Sequence, residues 1–266
     1  MKLVLMSFLA GSILALCAGC NSGDDGGGGN VLTVKAVEYS YSLSGDLKGG
    51  VVTFAVENAG GTIHEFAFGS VEPGHSTDEI IAAVETGEDL PWLEDLGGVP
   101  VMSAGQKGKL TRELDPGKYV FLCFIPNAEG QPHAALGMIE TFEITGEGDV
   151  EFPEADAIIE AQAGTFVVPE DLSAGQQTLE LKNSASAEGG FLLVAFEEGE
   201  TFDTVGAWFE AGLQGEAPAV FLGGMQIVQP GESVFYDVEL ESGRTYTLIN
   251  DSSEDAPPIM TEFTPD

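Results

Sequence analysis

A repeated pattern constrains the fold of this chain more than any other feature. Residues 46–58 return 125 residues later as residues 171–183, and both stretches alternate apolar with polar side chains. Alternation with period two is typical of a strand with one buried face. The repeat predicts two copies of one fold. Its register continues through a predicted short helix, where five residues match five others: Gly74, Asp78, Ala82, Glu85 and Gly87 match Gly199, Asp203, Ala207, Glu210 and Gly212.

The length and residue types favour two β domains. A chain of 266 residues can hold two domains of about 100–150 residues each. Runs of Val, Phe and Thr, 36 glycines and few long helical periodicities indicate strands joined by turns. We therefore predict an all-β chain: two tandem Greek-key β-sandwich domains, at residues 31–149 and 150–266, each with a short inserted helix.

The charge balance excludes whole classes of partner. The chain has 9 Lys and Arg against 44 Asp and Glu, a net charge of −35. Nucleic acids and anionic lipid surfaces both attract positive proteins, so neither is an expected partner through charge. Two interpretations of the acidity remain open. It keeps the surface hydrated, or it steers the protein towards a basic redox partner.

The N-terminal residues indicate export. Lys2 is followed by an apolar run over residues 3–16, too short for a stable membrane anchor. Ala18-Gly19-Cys20 matches a bacterial-type lipobox, which predicts a signal peptide over residues 1–20 with lipid on Cys20. The alternative is a plain signal peptide cut nearby. Residues 21–30 then form a flexible linker, and the protein is expected at the cell membrane, facing the extracytoplasmic or periplasmic side.

A soft ligand set follows from the cysteine count. Once Cys17 leaves with the signal peptide and Cys20 carries lipid, the mature chain has one other cysteine, Cys123, which ends a predicted strand. A lone thiol on an exported protein is buried, reactive or bound to metal. His133 and Met138 follow in the next loop, and His64 lies in another predicted strand. Two His, one Cys and a weak Met match a trigonal copper site for electron transfer, with an inert core cysteine and a core methionine as alternatives.

These residues carry a resemblance to a known family. Asn58 with His64-Glu65-Phe66, then Tyr119-x-Phe121-x-Cys123, then His133-x₄-Met138 resemble the blue copper (cupredoxin) family of plastocyanin and azurin type over residues 31–146. Nine residues separate Cys123 from His133, a longer spacing that resembles copper nitrite reductases, which also place a Pro before this His. The resemblance implies one type 1 copper in the first domain, held by His64, Cys123, His133 and Met138.

The second copy serves as an internal comparison. Gly189 stands opposite His64 and Asn250 stands opposite Cys123, and no histidine occurs after His133. Scaffold residues match between the copies while the candidate ligands all differ. We therefore predict a degenerate second domain without metal ligands.

Together these patterns predict an exported, membrane-tethered blue copper protein that transfers electrons to or from a redox partner protein and is not an enzyme. Two alternatives stay open at this point: a copper storage or delivery protein, and a metal-free β-sandwich interaction protein. The sequence leaves the oligomeric state undetermined.

Overall fold

The computed structural model describes residues 30–250 and 257–266. The predicted signal peptide, Cys20 and the linker up to residue 29 lie outside the described residues. The described part is built of strands with two α-helices and one short 3-10 helix, so the predicted all-β class is confirmed. Neither α-helix there is long and apolar enough to cross a membrane.

We call strands β1 to β8 the first half and strands β9 to β16 the second half. The elements of the first half are β1 (Val31–Val37), β2 (Ser40–Ser44), β3 (Leu47–Asn58), β4 (His64–Val71), α1 (Thr77–Thr86), β5 (Leu93–Met102), β6 (Lys107–Leu114), β7 (Gly117–Leu122), a 3-10 helix (His133–Leu136) and β8 (Ile139–Glu147). Those of the second half are β9 (Ala157–Gln162), β10 (Thr165–Val167), β11 (Gly175–Asn183), β12 (Gly189–Phe196), α2 (Phe202–Glu210), β13 (Ala219–Val228), β14 (Ser233–Leu240), β15 (Tyr246–Asn250) and β16 (Ile259–Phe263).

The first half has two layers of strands. One layer holds β2, β1, β3 and β6 in that order, and the other holds β8, β7, β4 and β5. Strand β1 runs parallel to β3, and the other neighbours within each layer are antiparallel. The first residues of β3 also pair with β8, where Leu47 lies opposite Ile144. Strand β3 thus passes from one layer to the other and closes the sandwich on one side.

The alternation in β3 orients it towards the core. Val52, Phe54 and Val56 are buried, while Thr53 and Ala55 between them are half-buried. Side chains in a strand point to opposite faces in turn, so the apolar set fills the space between the layers. Burying each large apolar side chain stabilises the fold by about 1.5–3 kcal/mol.

Strand β7 is buried on both faces. Tyr119 and Phe121 join the core between the layers, and Val120 and Leu122 pack under α1 through Ile80. Helix α1 begins at a capping box, in which the Ser76 side chain accepts from the backbone N–H of Glu79 and the Glu79 side chain accepts from that of Ser76. Helix α1 covers the outer face of the layer that contains β7, the strand that Cys123 directly follows.

The second half has the same pairing order. Strands β10, β9, β11 and β14 form one layer, and β16, β15, β12 and β13 form the other. Strand β9 runs parallel to β11, as β1 does to β3. Helix α2 lies between β12 and β13, as α1 lies between β4 and β5.

Both layers continue from one half into the other. Strand β6 pairs antiparallel with β14, with Thr111 opposite Phe235, and β5 meets β13 where Met102 lies opposite Leu222. The Tyr236 hydroxyl donates to the Leu222 carbonyl at 2.7 Å inside this junction. Buried side chains of both halves belong to one apolar cluster. The two halves therefore share a core.

The junction also contains a half-buried ion pair. Arg112 on β6 approaches Glu232, which precedes β14, at 3.0 Å, and its guanidinium donates to the Leu96 carbonyl at 2.9 Å. The side chain of Arg112 is 9% exposed, so this charge is desolvated and depends on both partners.

Two glycines let adjacent strands approach closely. Gly98 on β5 has φ +126°, and a Cβ there would lie 2.2 Å from the carbonyl oxygen of Phe66. Gly224 on β13 also has φ +126°, and a Cβ there would lie 1.7 Å from the carbonyl oxygen of Phe191. Register shifts occur in both strand pairs, as expected where a bulge bends a strand. The irregularities of the first pair lie along β4, the strand that begins with His64.

Candidate metal centre

Three predicted ligands come from three parts of the first half. His64 is the first residue of β4, Cys123 directly follows β7, and His133 opens the 3-10 helix. Neighbouring strands β4 and β7 place the first two side by side, with Ala67 opposite Leu122. The third reaches them because the chain returns over the end of β7: Ala134 N–H donates to the Cys123 carbonyl at 2.7 Å.

The loop between Cys123 and His133 is held by its own polar groups. Pro126 and Pro132 form an isolated β-bridge. The side-chain oxygen of Asn127 accepts from the backbone N–H groups of Glu129 at 3.0 Å and Gln131 at 2.9 Å. An Asx turn of this kind orders a loop without apolar side chains. The loop of nine residues between Cys123 and His133 therefore holds His133 in a defined position.

The donor atoms form a small triangle. Nδ1 of His64 lies 3.2 Å from Nδ1 of His133, and the sulfur of Cys123 lies 3.5 Å from His133 Nδ1 and 3.9 Å from His64 Nδ1. Bonds of about 2.0 Å to nitrogen and about 2.3 Å to sulfur, as at zinc sites, would place trigonal donors about 3.5 Å (N to N) and about 3.7 Å (S to N) apart. The observed triangle matches these separations, so the three side chains fit a single metal ion.

The triangle is shut off from water. Cys123 and His64 are fully buried and His133 is 4% exposed. Apolar side chains surround the sulfur, and Phe121 and Tyr41 share its cluster. Two imidazoles and one thiolate form a soft set that suits copper better than a hard cation.

Burial changes the protonation of the donors. It raises the pKa of Cys123 to about 12, helped by the nearby Glu65 carboxyl, and it lowers the pKa of His64 to about 4, with His133 adding to the shift. Burial also lowers the pKa of His133. Before metal binds, both imidazoles are neutral at pH 7 and ready to donate a lone pair. The thiol must lose its proton to bind, and a metal cation drives that loss.

Met138 lies close to this triangle in the chain. It is fully buried, belongs to the same apolar cluster as Cys123, and its backbone N–H donates to the His133 carbonyl at 3.0 Å. Gly137, at φ +103°, makes the turn between the 3-10 helix and Met138. These facts place the backbone of Met138 beside the site, and the axial role of its sulfur stays a prediction.

A buried carboxyl next to the site was not anticipated from the sequence. Glu65 is 7% exposed; one carboxyl oxygen accepts from the backbone N–H of Phe124, and the other accepts from Gln226 of the second half at 3.3 Å. The hydroxyl of Tyr41 donates to the Glu65 carbonyl. This side chain thus ties the residue after Cys123 to strand β13. In the sequence, the only indication of this role is that Glu65 directly follows the candidate ligand His64. The alternation of the strand does not indicate that the Glu65 side chain is buried.

Asn58 holds the loop that precedes His64 through side-chain hydrogen bonds. Its amide donates to the carbonyls of Thr62 at 2.8 Å and Met102 at 2.9 Å, and its oxygen accepts from Gly60 N–H at 3.0 Å. Asn183 makes the corresponding set of bonds in the second half. We conclude that this asparagine is a scaffold residue rather than a ligand.

The counterpart positions in the second half also lie together but differ in chemistry. A Cβ on Gly189 would meet the side-chain nitrogen of Asn250 at 2.7 Å, and the Asn250 side-chain oxygen accepts from Gly190 N–H at 3.1 Å. An amide and a glycine occupy the places that a thiol and an imidazole hold in the first half. Among the described residues, His64, Cys123 and His133 are the group of His, Cys and acidic side chains identified as able to hold a metal.

The pH dependence of stability in the metal-free protein tests the environment of Glu65. Burial raises its pKa from 4.5 to about 7, so the folded state holds this proton more tightly than the unfolded state. The stabilisation is complete below pH 4.5 and is lost as pH rises to 7, by up to about 3 kcal/mol. We expect wild type to lose stability relative to Glu65→Gln between pH 5 and pH 8, measured by guanidinium unfolding. Comparison with this variant cancels the opposite effect of His64 and His133, and a constant difference would contradict the assignment.

Proteins similar to this chain are found among solved structures. No protein-family model and no curated protein sequence matches the chain. Similar structures include reduced auracyanin from Roseiflexus castenholzii, 19% identical with a TM-score of 0.33, covering 45% of this chain and 99% of that one. The Cu-containing nitrite reductase of Thermus scotoductus is 12% identical with a TM-score of 0.26, covering 89% and 61%. A multicopper oxidase is 12% identical with a TM-score of 0.25, covering 89% and 88%.

These likenesses are low in identity and in TM-score, and the nature of the site rests on the chain's own atoms. Three buried donors, two nitrogens and one sulfur, lie within 4.8 Å of one another. That arrangement can hold one soft metal ion.

Proposed function

We propose that this protein is a type 1 copper protein that transfers electrons. One copper ion would be held by His64, Cys123 and His133, with Met138 as weak axial ligand. The observation that carries the proposal is the triangle of donor atoms, whose separations of 3.2, 3.5 and 3.9 Å already suit a bound ion. Copper in such a site supplies a reversible one-electron couple.

The protein would hold the ligands rigidly and exclude water from the metal position. His64 and Cys123 sit at the ends of paired strands, and the Asn127 turn holds the loop that carries His133. Ligands fixed by a packed core move little when the charge of the site changes. Apolar neighbours and the absence of solvent at the sulfur set the potential of such a centre.

We also propose that the protein is a carrier rather than an enzyme. The candidate ligands are at most 4% exposed, so a substrate would have no direct access to the metal position. The second half has no histidine to build another copper site. Its part would be to support the first half, and export with a lipid on Cys20 would keep the carrier at the membrane near its redox partner.

A copper titration followed by visible absorption tests the proposal. With Cu(II), the full chain should develop one strong thiolate-to-copper band that saturates at one copper per chain. A colourless protein that binds Cu(I) would instead indicate storage or delivery. A protein that binds no copper would leave the interaction-protein alternative.

The axial position has its own test. Met138→Leu should keep the visible band and raise the reduction potential, because the variant removes a weak donor but keeps the volume and apolar character of the side chain. Redox titration of both proteins measures the difference. Met225→Leu, a buried methionine of the second half, is the matched control and should leave the potential unchanged. An unchanged potential in Met138→Leu would show that its sulfur is not a ligand.

A further inference from the structure

A groove lies between the two halves beside the candidate copper site. It has a volume of about 960 Å³, and His133 forms part of its lining. Tyr39 and Asn127 line it from the first half. Trp208 of α2 and Leu213 after that helix line it from the second half. The groove therefore brings the second half to the edge of the metal centre.

The groove is strongly acidic. Its lining includes five exposed glutamates and neither Lys nor Arg: Glu38, Glu197, Glu198, Glu200 and Glu216. Among the described residues, only Glu197 of these five has an ion-pair partner, Arg244 at 3.6 Å. The other four have no ion-pair partner among the described residues, and the Glu38 carboxylate accepts from the backbone N–H of Gly61. Charges of one sign around a concave surface focus their field into it.

Two aromatic side chains, Tyr39 and Trp208, line the same groove as these glutamates. The ring of Tyr39 meets that of His133 edge to face at 5.0 Å. Trp208 is half-buried, and its ring nitrogen has no hydrogen-bond partner in the described part of the chain. An indole face near carboxylates is a favourable place for a Lys or Arg side chain.

Backbone strain is concentrated at the same place. Tyr39 has φ +61° and Leu213 has φ +60°, the two non-glycine residues with positive φ among those described. Both line the groove, one from each half. Bulky residues persist in this conformation only when their surroundings hold them there, and such positions cluster at functional sites.

We propose that this groove docks a Lys- or Arg-rich projecting segment of a partner protein. The acidic lining attracts the segment, Trp208 receives one of its cations, and the partner comes to rest against the ring of His133. The use of this contact for electron transfer rests on the proposed function, whereas the docking itself does not need copper. The acidic second half thereby gains a role: it forms one wall of the partner site.

The test uses the metal-free full chain and an octalysine peptide as probe. Trp92→Phe leaves Trp208 as the sole tryptophan, so its emission reports binding at the groove. We expect emission to change on titration at low salt. We expect the dissociation constant to rise at least about tenfold when the second-half wall is reversed in charge by Glu198→Lys, Glu200→Lys and Glu216→Lys.

A second triple variant provides the matched control. Glu113→Lys, Glu143→Lys and Glu147→Lys change exposed glutamates outside the groove and alter the net charge by the same amount. This control should change the dissociation constant less than about twofold. Equal weakening in both triples, or unchanged Trp208 emission, would overturn the groove as the site. Should the lysine triple fail to fold, Glu198→Gln, Glu200→Gln and Glu216→Gln together decide the question by comparison with Glu113→Gln, Glu143→Gln and Glu147→Gln.

The two proposals fail separately. Loss of copper binding with intact octalysine binding would refute the electron carrier and leave the docking groove. A blue protein whose groove triple binds octalysine as tightly as the control triple would refute the groove and leave the carrier.

Discussion

Replacing Cys123 with serine is expected to abolish the visible band of the copper-loaded protein. The band arises from charge transfer between a thiolate and copper, and a hydroxyl cannot replace that soft donor. Copper affinity should fall by more than about 100-fold, beyond the range of about 10–100-fold typical of changes to residues that only hydrogen-bond to the ligands. Absorption spectra and metal analysis of Cys123→Ser measure both effects.

The control lies at the matching position of the second half. Asn250→Ser changes the residue that stands opposite Cys123 in the repeat and should leave band and stoichiometry unchanged. A Cys123→Ser protein that keeps its colour would show that the thiol is not the ligand. Loss of the band in Asn250→Ser would mean that the second half takes part in the metal site after all.

Gly98→Ala is expected to cause a large loss of stability. The new Cβ would lie 2.2 Å from the Phe66 carbonyl oxygen, a separation that no strand pair can accept without moving apart. The positive φ adds a cost of about 1–2 kcal/mol, and the steric contact should bring the total above about 3 kcal/mol. Since β4 carries His64 and pairs with β5, copper binding should weaken as well.

Gly105→Ala separates conformation from contact. Gly105 also has positive φ, at +82°, but no atom lies within 4 Å of a Cβ built there. This variant should lose only the conformational part, about 1–2 kcal/mol. Guanidinium unfolding of both variants gives the comparison. Equal losses would contradict a steric role for the close approach of β4 and β5.

Much of the site could be predicted because its signals are local. Cys123 follows an apolar strand pattern, His133 and Met138 come within 15 residues of it, and the repeat showed that His64 has no counterpart in the second half. The structure brings His64, Cys123 and His133 together as expected. The all-β class could likewise be predicted, because alternating patterns mark the strands of both halves.

The contacts between the halves could not be predicted in this way. Glu65 is buried, and Gln226, which donates to its carboxylate, lies 161 residues away in the chain; no periodicity records such a distant partner. Tyr39 and Leu213 line the groove with positive φ, a conformation that neither residue type favours. Pairing of β6 with β14 and of β5 with β13 joins strands whose patterns resemble those of any half-buried strand.

That junction has a consequence for solubility at high concentration. An isolated half would present β5 and β6, or β13 and β14, with rows of unsatisfied N–H and C=O groups that can template pairing with other molecules. In the whole chain β5 pairs with β13 and β6 pairs with β14, so these four strands are no longer free edges. Pairing with the second half would therefore limit association between molecules through these edges, whether or not that half binds a metal.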